Sequence, residues 1–154
     1  MSKIEDKLKQ LGLELPPPPP SGGIYHPIVV VGDMLYVSGQ LPVNSDGSKI
    51  IGKVGSDLNL EEANLAARQV GLTMLSTIKK HLGDLDKIKR LVKTLGMVNC
   101  TMDFKQQPQV INGYSQLMVD LLGEQNGKGA RSAVGMILPR NAAVEIEAIW
   151  QLHS

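Results

Sequence analysis

Three charged side chains stand in stretches that are otherwise mostly apolar. Arg131 opens the strand-like run "ARSAVGMILP" (130–139), and Glu145 and Glu147 interrupt "AVEIEAIWQL" (143–152). A guanidinium carries a permanent charge on a planar fork that matches a carboxylate through two parallel hydrogen bonds. At the mouth of a strand beside a cleft, Arg131 would clamp a substrate carboxylate. Glu145 and Glu147 are two apart, so on a strand they share a face with Cα atoms roughly 7 Å apart. Paired carboxylates can carry out acid–base steps. Plainer readings stand beside these: an ion pair between Arg131 and one of the glutamates on a neighbouring strand, or two solvated charges. Spacing by itself favours the plainer readings.

Other residues extend the candidate set. Tyr25 follows "SGG", Ser38 ends an apolar strand, and Gly39 would let a ligand approach the backbone closely. Turn chemistry explains the same residues. The histidines, His26, His81 and His153, are scattered without metal-ligand spacing. "GEQNGKGAR" does not fit the phosphate-binding GxxxxGK[ST] pattern, and no GxGxxG is present. No metal or cofactor is therefore expected. Cys100 is the single cysteine, which rules out an intrachain disulfide and reads as a small buried hydrophobe.

Positioning these groups requires a sheet. The runs 27–31 and 34–38 read as a hairpin turned at Gly32-Asp33, and 49–51 as a short strand. Residues 60–82 give the strongest helical period: Ala63, Ala66, Ala67, Val70, Met74 and Ile78 share a face that Leu65, Leu72 and Leu75 widen. Asn59 with Glu62 forms a capping-box pattern, and Gly83 a stop. A strand over 87–100 follows. A second helix, capped by Asp103, runs to about Leu122. Strands at 132–138 and 143–152 close the series, joined by a short turn at Pro139–Asn141 that makes them neighbours. Upstream, 2–12 reads as a helix with Ile4, Leu8 and Leu11 on one face. Pro16–Pro20 read as an extended arm. The fold class is α+β, one mixed sheet with two long helices on one face. In the last strand Val144, Ile146, Ala148 and Trp150 suit the helices. Glu145, Glu147, Ile149 and Gln151 form a second, mixed face with nothing left to cover it, which predicts a homo-oligomer with clefts between subunits.

Bulk composition narrows the function. A chain of 154 residues fits one domain. Sixteen basic and fifteen acidic residues leave a net charge of +1, and aromatics are 3%. Neither favours a nucleic-acid partner. No run approaches the ~18 apolar residues of a membrane span. The N-terminus lacks a signal-peptide pattern, and one cysteine suits a reducing compartment. A cytoplasmic protein is expected.

Together these residues resemble the RidA/YjgF family, also described as reactive-intermediate imine deaminases or L-PSP endoribonuclease-like proteins. Three stretches carry the resemblance: "GDMLYVSGQLPVN" (32–44), "ARSAVG" (130–135) and "LPRNAAVEIEAI" (138–149). It covers about residues 23–152. Residues 1–22, the helix and proline-rich arm, exceed the short members, so the chain looks like a longer branch with its main domain at 23–154. The resemblance implies a chorismate-mutase-like fold in a trimer whose sheets meet in a central barrel, with three clefts between subunits. It implies that Arg131 binds the substrate carboxylate and that Glu145 activates water or relays its proton. Tyr25, Ser38 and Gly39 would line the cleft, with Asn112 on the second helix. Two departures touch the cleft. Many active members carry a cysteine where this chain has Ala133, and the stretch from Arg131 to Glu145 is one residue shorter. The expected function is hydrolytic deamination of 2-imino or 2-enamino acids to keto acids and ammonia. The alternative is a non-catalytic trimer that binds carboxylates or client proteins. Endoribonuclease activity ranks below both, given the charge and the few aromatics.

Overall fold

The computed structural model describes residues 2–154. In chain order its elements are α1 (Lys3–Gln10), β1 (Ile28–Val31), β2 (Met34–Gln40), α2 (Leu60–Leu82), β3 (Ile88–Val98), α3 (Gln107–Gly127), β4 (Ala130–Gly135) and β5 (Val144–Leu152). The strands form one sheet ordered β1-β2-β5-β3-β4. Every pairing is antiparallel except β3 with β4. This is the expected α+β arrangement, with one mixed sheet and the long helices α2 and α3 packed on one face.

The core follows the predicted periods. Val144, Ile146, Ala148 and Trp150 of β5 are buried, as is the row Ala63, Ala66, Ala67, Val70, Met74 and Ile78 of α2. Leu72 and Leu75 join them, but Leu65 stands exposed. It lies two residues from both Ala63 and Ala67, about 200° around the helix, so it cannot share their face. Asn59 and Glu62 cap α2 reciprocally, with N···O distances of 2.8 and 3.1 Å. Small residues bring the helices together. A Cβ at Gly113 of α3 would collide with the Asn64 carbonyl of α2, and one at Gly71 would meet Leu117 at 2.8 Å.

Several boundaries differ from expectation. Residues 49–51 make only isolated bridges, Val43 with Lys49 and Ile51 with Ala142. Asp103 does not cap α3, which starts at Gln107 with Pro108 in its first turn and no side-chain cap. Instead, Gln107 Nε2 donates to the Phe104 carbonyl at 2.9 Å. The helix then runs past its expected end near Leu122 to Gly127, bent at Gly123, where φ is +82°.

The placement of β4 is the larger correction. It is not the neighbour of β5; β3 lies between them. A strand that follows β3 through a helical crossover returns parallel to it, and the crossover can deliver β4 to the outer side of β3. That leaves the central slot, between two antiparallel partners, to β5. Its fully buried row of four side chains suits the centre, whereas β4 is short and mostly exposed, as an edge strand is.

The N-terminal segment packs on this scaffold. Ile4 and Leu8 of α1 enter the main core, while Leu11, beyond the helix end, stays exposed. The N–H groups of Lys3 and Ile4 donate to the Asp86 carboxylate at 2.9 and 3.3 Å. Farther on, the Pro16 carbonyl accepts a buried 2.6 Å hydrogen bond from Ser76 Oγ of α2. No helix among the described residues is long and apolar enough to cross a membrane.

Candidate functional site

Glu145 and Glu147 project from β5 onto the face away from the helices. Opposite them across β3 stand Met97 and Leu95. The neighbouring strand is irregular here. Val37 pairs with Ala148 and Gln40 with Ile146, so Ser38 and Gly39 together oppose Glu147 alone. Such a bulge bends the strand and re-aims its residues. It brings Gly39 under Glu145: a Cβ at position 39 would overlap Glu145 Oε2. The open space beside Gly39 is thus filled by this carboxylate. Ser38 Oγ donates to the His26 carbonyl at 2.7 Å, tying the bulge to the chain ahead of β1. Tyr25 is nearby, its hydroxyl accepting from the Gly22 N–H at 3.3 Å.

These residues line a cavity of about 650 Å³. Pro19 and Pro20 of the arm form part of its wall, and Lys49 and Arg140 also line it. Glu145 is half-buried there, and its carboxyl is raised above the usual glutamate range, first by burial and then by the charge of Glu147. A carboxylate shifted upward toward neutrality can take a proton and return it, the requirement for acid–base work.

Arg131 belongs to a second constellation. It pairs with Thr94 on the helix-side face of the sheet. Its Nη1 donates to Asn112 Oδ1 at 2.8 Å and Ser115 Oγ at 3.1 Å, both on α3. Asn112 therefore holds the arginine, as the resemblance brought it to the site. Ser115 was not anticipated, although its i+3 spacing from Asn112 puts both on one helix face. Arg131 makes no ion pair with Glu145 or Glu147 among the described residues, which removes the plainer reading based on neighbouring strands. Ala133, two residues on, faces the helix side as well and packs against the main core.

One chain therefore groups Tyr25, Ser38, Gly39 and Glu145 in one cavity and Arg131 with Asn112 in another place, on opposite faces of the sheet. Sequence reasoning missed both Lys49, which lies outside the three motif stretches, and Arg140, which lies inside "LPRNAAVEIEAI" but was not singled out there. Arg140 and Asn141 both have φ of +57°, unusual for residues other than glycine.

Comparison with known proteins gives a consistent picture. Residues 5–148 match the family described as "YjgF/chorismate mutase-like, putative endoribonuclease". The chain is 39% identical to Protein TCP17 of Trypanosoma cruzi, over 99% of this chain and 96% of that one. It is 44% identical to Atu1372 of Agrobacterium tumefaciens, a protein of unknown function. That structure superposes with a TM-score of 0.87, covering 97% of this chain and 91% of the other. A structure described as a "putative endoribonuclease" from Shewanella oneidensis is 28% identical. Its TM-score is 0.91, over 97% of this chain and 99% of that one. These likenesses run through most of the arm as well as the sheet, and with the motifs they show that the chain belongs to the RidA/YjgF family.

Proposed function

We propose that the protein hydrolyses 2-imino and 2-enamino acids to keto acids and ammonia, in clefts formed between copies of the chain. The observation that carries this reading is Glu145: a half-buried carboxylate, raised by burial and by Glu147, seated on the Gly39 bulge in a cavity. In this reading the substrate docks its carboxylate on Arg131. Glu145 removes a proton from water, whose oxygen bonds to the C=N carbon as the π electrons move to nitrogen. Glu145 returns that proton to the amine nitrogen. A lone pair of the new hydroxyl oxygen then forms the C=O bond as the C–N bond breaks and ammonia leaves, and the hydroxyl proton passes to the Glu145 carboxylate or to water, giving the keto acid. The iminium carbon is already electrophilic, so one acid–base group suffices at this step.

Arg131 and Glu145 lie on opposite sheet faces of one chain, so a cleft using both draws them from two copies. Supporting this, the face of Glu145 is open and partly apolar: Val29, Val31, Tyr36 and Val134 are exposed on it. The proposed assembly is a trimer with the sheets packed inward, in a reducing, cytoplasmic setting. Ammonia release from enzymatically generated 2-aminoacrylate tests the activity. Arg131→Ala is expected to lower kcat/KM by about 10- to 100-fold, the worth of hydrogen bonds to a charged partner. Glu145→Gln is expected to lower it by about 10²- to 10⁴-fold, the range for a general base. A wild-type rate no better than buffer, or an unchanged Arg131→Ala rate, overturns the proposal.

The family description favours a second reading, endoribonuclease. RNA cleavage by the wild type that disappears in Glu145→Ala would place it first. The net charge of +1 supports the deaminase reading over it.

A further inference from the structure

The cavity that holds Glu145 carries two cations that the chemistry above does not use. Arg140 and Lys49 both line it, and neither side chain makes an ion pair or a hydrogen bond among the described residues. Neither is paired with Glu145 or Glu147 among the described residues.

The backbone under Arg140 is unusual. Arg140 and Asn141 are consecutive non-glycine residues with left-handed φ of +57°. Such a conformation is disfavoured and persists only where its surroundings over-determine it, commonly at ligand sites. Here a buried side chain does so. Asn99 Nδ2 donates to Asn141 Oδ1 at 3.0 Å and to the Gly52 carbonyl at 3.2 Å, while the Gly52 N–H donates to the Asn141 carbonyl at 2.9 Å. The turn that presents Arg140 is thus locked from below, and the guanidinium at its tip is left unpaired.

A locked turn and two unpaired cations, both lining the cavity that holds Glu145, point to a ligand with a second negative group.

We propose that the Glu145 cavity selects substrates with two carboxylates, Arg140 and Lys49 holding the carboxylate at the end of the side chain. The proposal rests on the functional reading above for the location of the site and extends it to a substrate class: imines of acidic amino acids, with keto diacids as products.

Titration calorimetry on the full chain tests this without requiring turnover. The probes are 2-oxoglutarate and 2-oxopentanoate, which have the same five-carbon chain but end in a carboxylate or a methyl group. The wild type is expected to bind the diacid roughly tenfold or more tightly, the range of one charge-assisted contact. In Arg140→Gln the ratio of the two affinities is expected to fall to about one, and Lys49→Gln to reduce it in the same direction. Arg140→Gly is the folding control, because glycine adopts the left-handed backbone readily; it too is expected to lose the discrimination. A wild-type ratio near one, or a ratio that survives Arg140→Gln and Arg140→Gly, overturns the proposal. Discrimination that depends on Arg140, in a protein that releases no ammonia from any imine, would leave the diacid site standing and remove the deaminase reading alone.

Discussion

At the scale of residues, Glu145 governs the expected response to pH. Its folded-state pKa lies above the ordinary value, through burial and then Glu147. The base form is therefore reached only at higher pH, and kcat/KM should climb through an apparent pKa above that of free glutamate. Glu147→Gln removes the repulsion and should move this limb to lower pH; an unmoved limb in the pH–rate profile would contradict the assignment. The linkage sign is the reverse of a salt-bridged carboxylate's. A raised folded pKa favours the folded state below it, and stability falls as pH rises from the unfolded toward the folded pKa. Glu145→Gln should accordingly raise Tm at pH 8 and leave it nearly unchanged at pH 4, as thermal unfolding at the two pH values would show. Gly39→Ala makes a sharper test. Its Cβ would take the space of Glu145 Oε2, the end of a flexible side chain that can swing aside. The expected outcome is a loss of imine hydrolysis of about tenfold or more at nearly native stability, since misplaced catalytic groups cost heavily in rate.

At the scale of elements, the strongest periods were legible in the sequence and the weakest signals misled. The six-residue face of α2 and its Asn59–Glu62 box could be read directly, because helical spacing and caps are local. The alternation in β5 separated Glu145 and Glu147 from the buried row for the same reason. The neighbour of β4 could not be read this way. A short turn at Pro139–Asn141 suggests a hairpin, yet which strands pair is decided by the crossover through α3 and by competition for the central slot. Thus Arg131 was identified by type and motif and Asn112 by the family resemblance, while Ser115, and the hydrogen bonds that join the three, needed the fold. The α2–α3 crossing carries its own prediction. Gly113 allows the Asn64 carbonyl to approach, and that atom belongs to backbone that cannot swing away. Gly113→Ala is expected to destabilise the protein by about 3 kcal/mol, near the upper end of overpacking costs, measured by urea unfolding.

At the scale of the whole molecule, the exposed sheet face is the feature a single chain leaves unfinished. Apolar side chains stand on it beside Glu145 and Glu147, a surface that association would bury in part. Light scattering is expected to give three times the chain mass. Ile149→Asp, at the centre of that face beside Tyr36 and Lys93, should shift the population toward single chains and abolish activity with the helical circular dichroism retained. A variant that stays assembled would count against the sheet-to-sheet arrangement.

The order of the strands has a consequence for how the molecule comes into being. β5 follows every other strand in the chain, yet it sits between β2 and β3. Until it emerges from the ribosome, the two halves of the sheet have no seam to join them, and contacts of this long reach are the slow ones to form. The same segment carries Glu145. Structural closure and the proposed catalytic group are thus delivered in one late event, so a nascent or prematurely terminated chain lacking β5 would be unfinished and inert together.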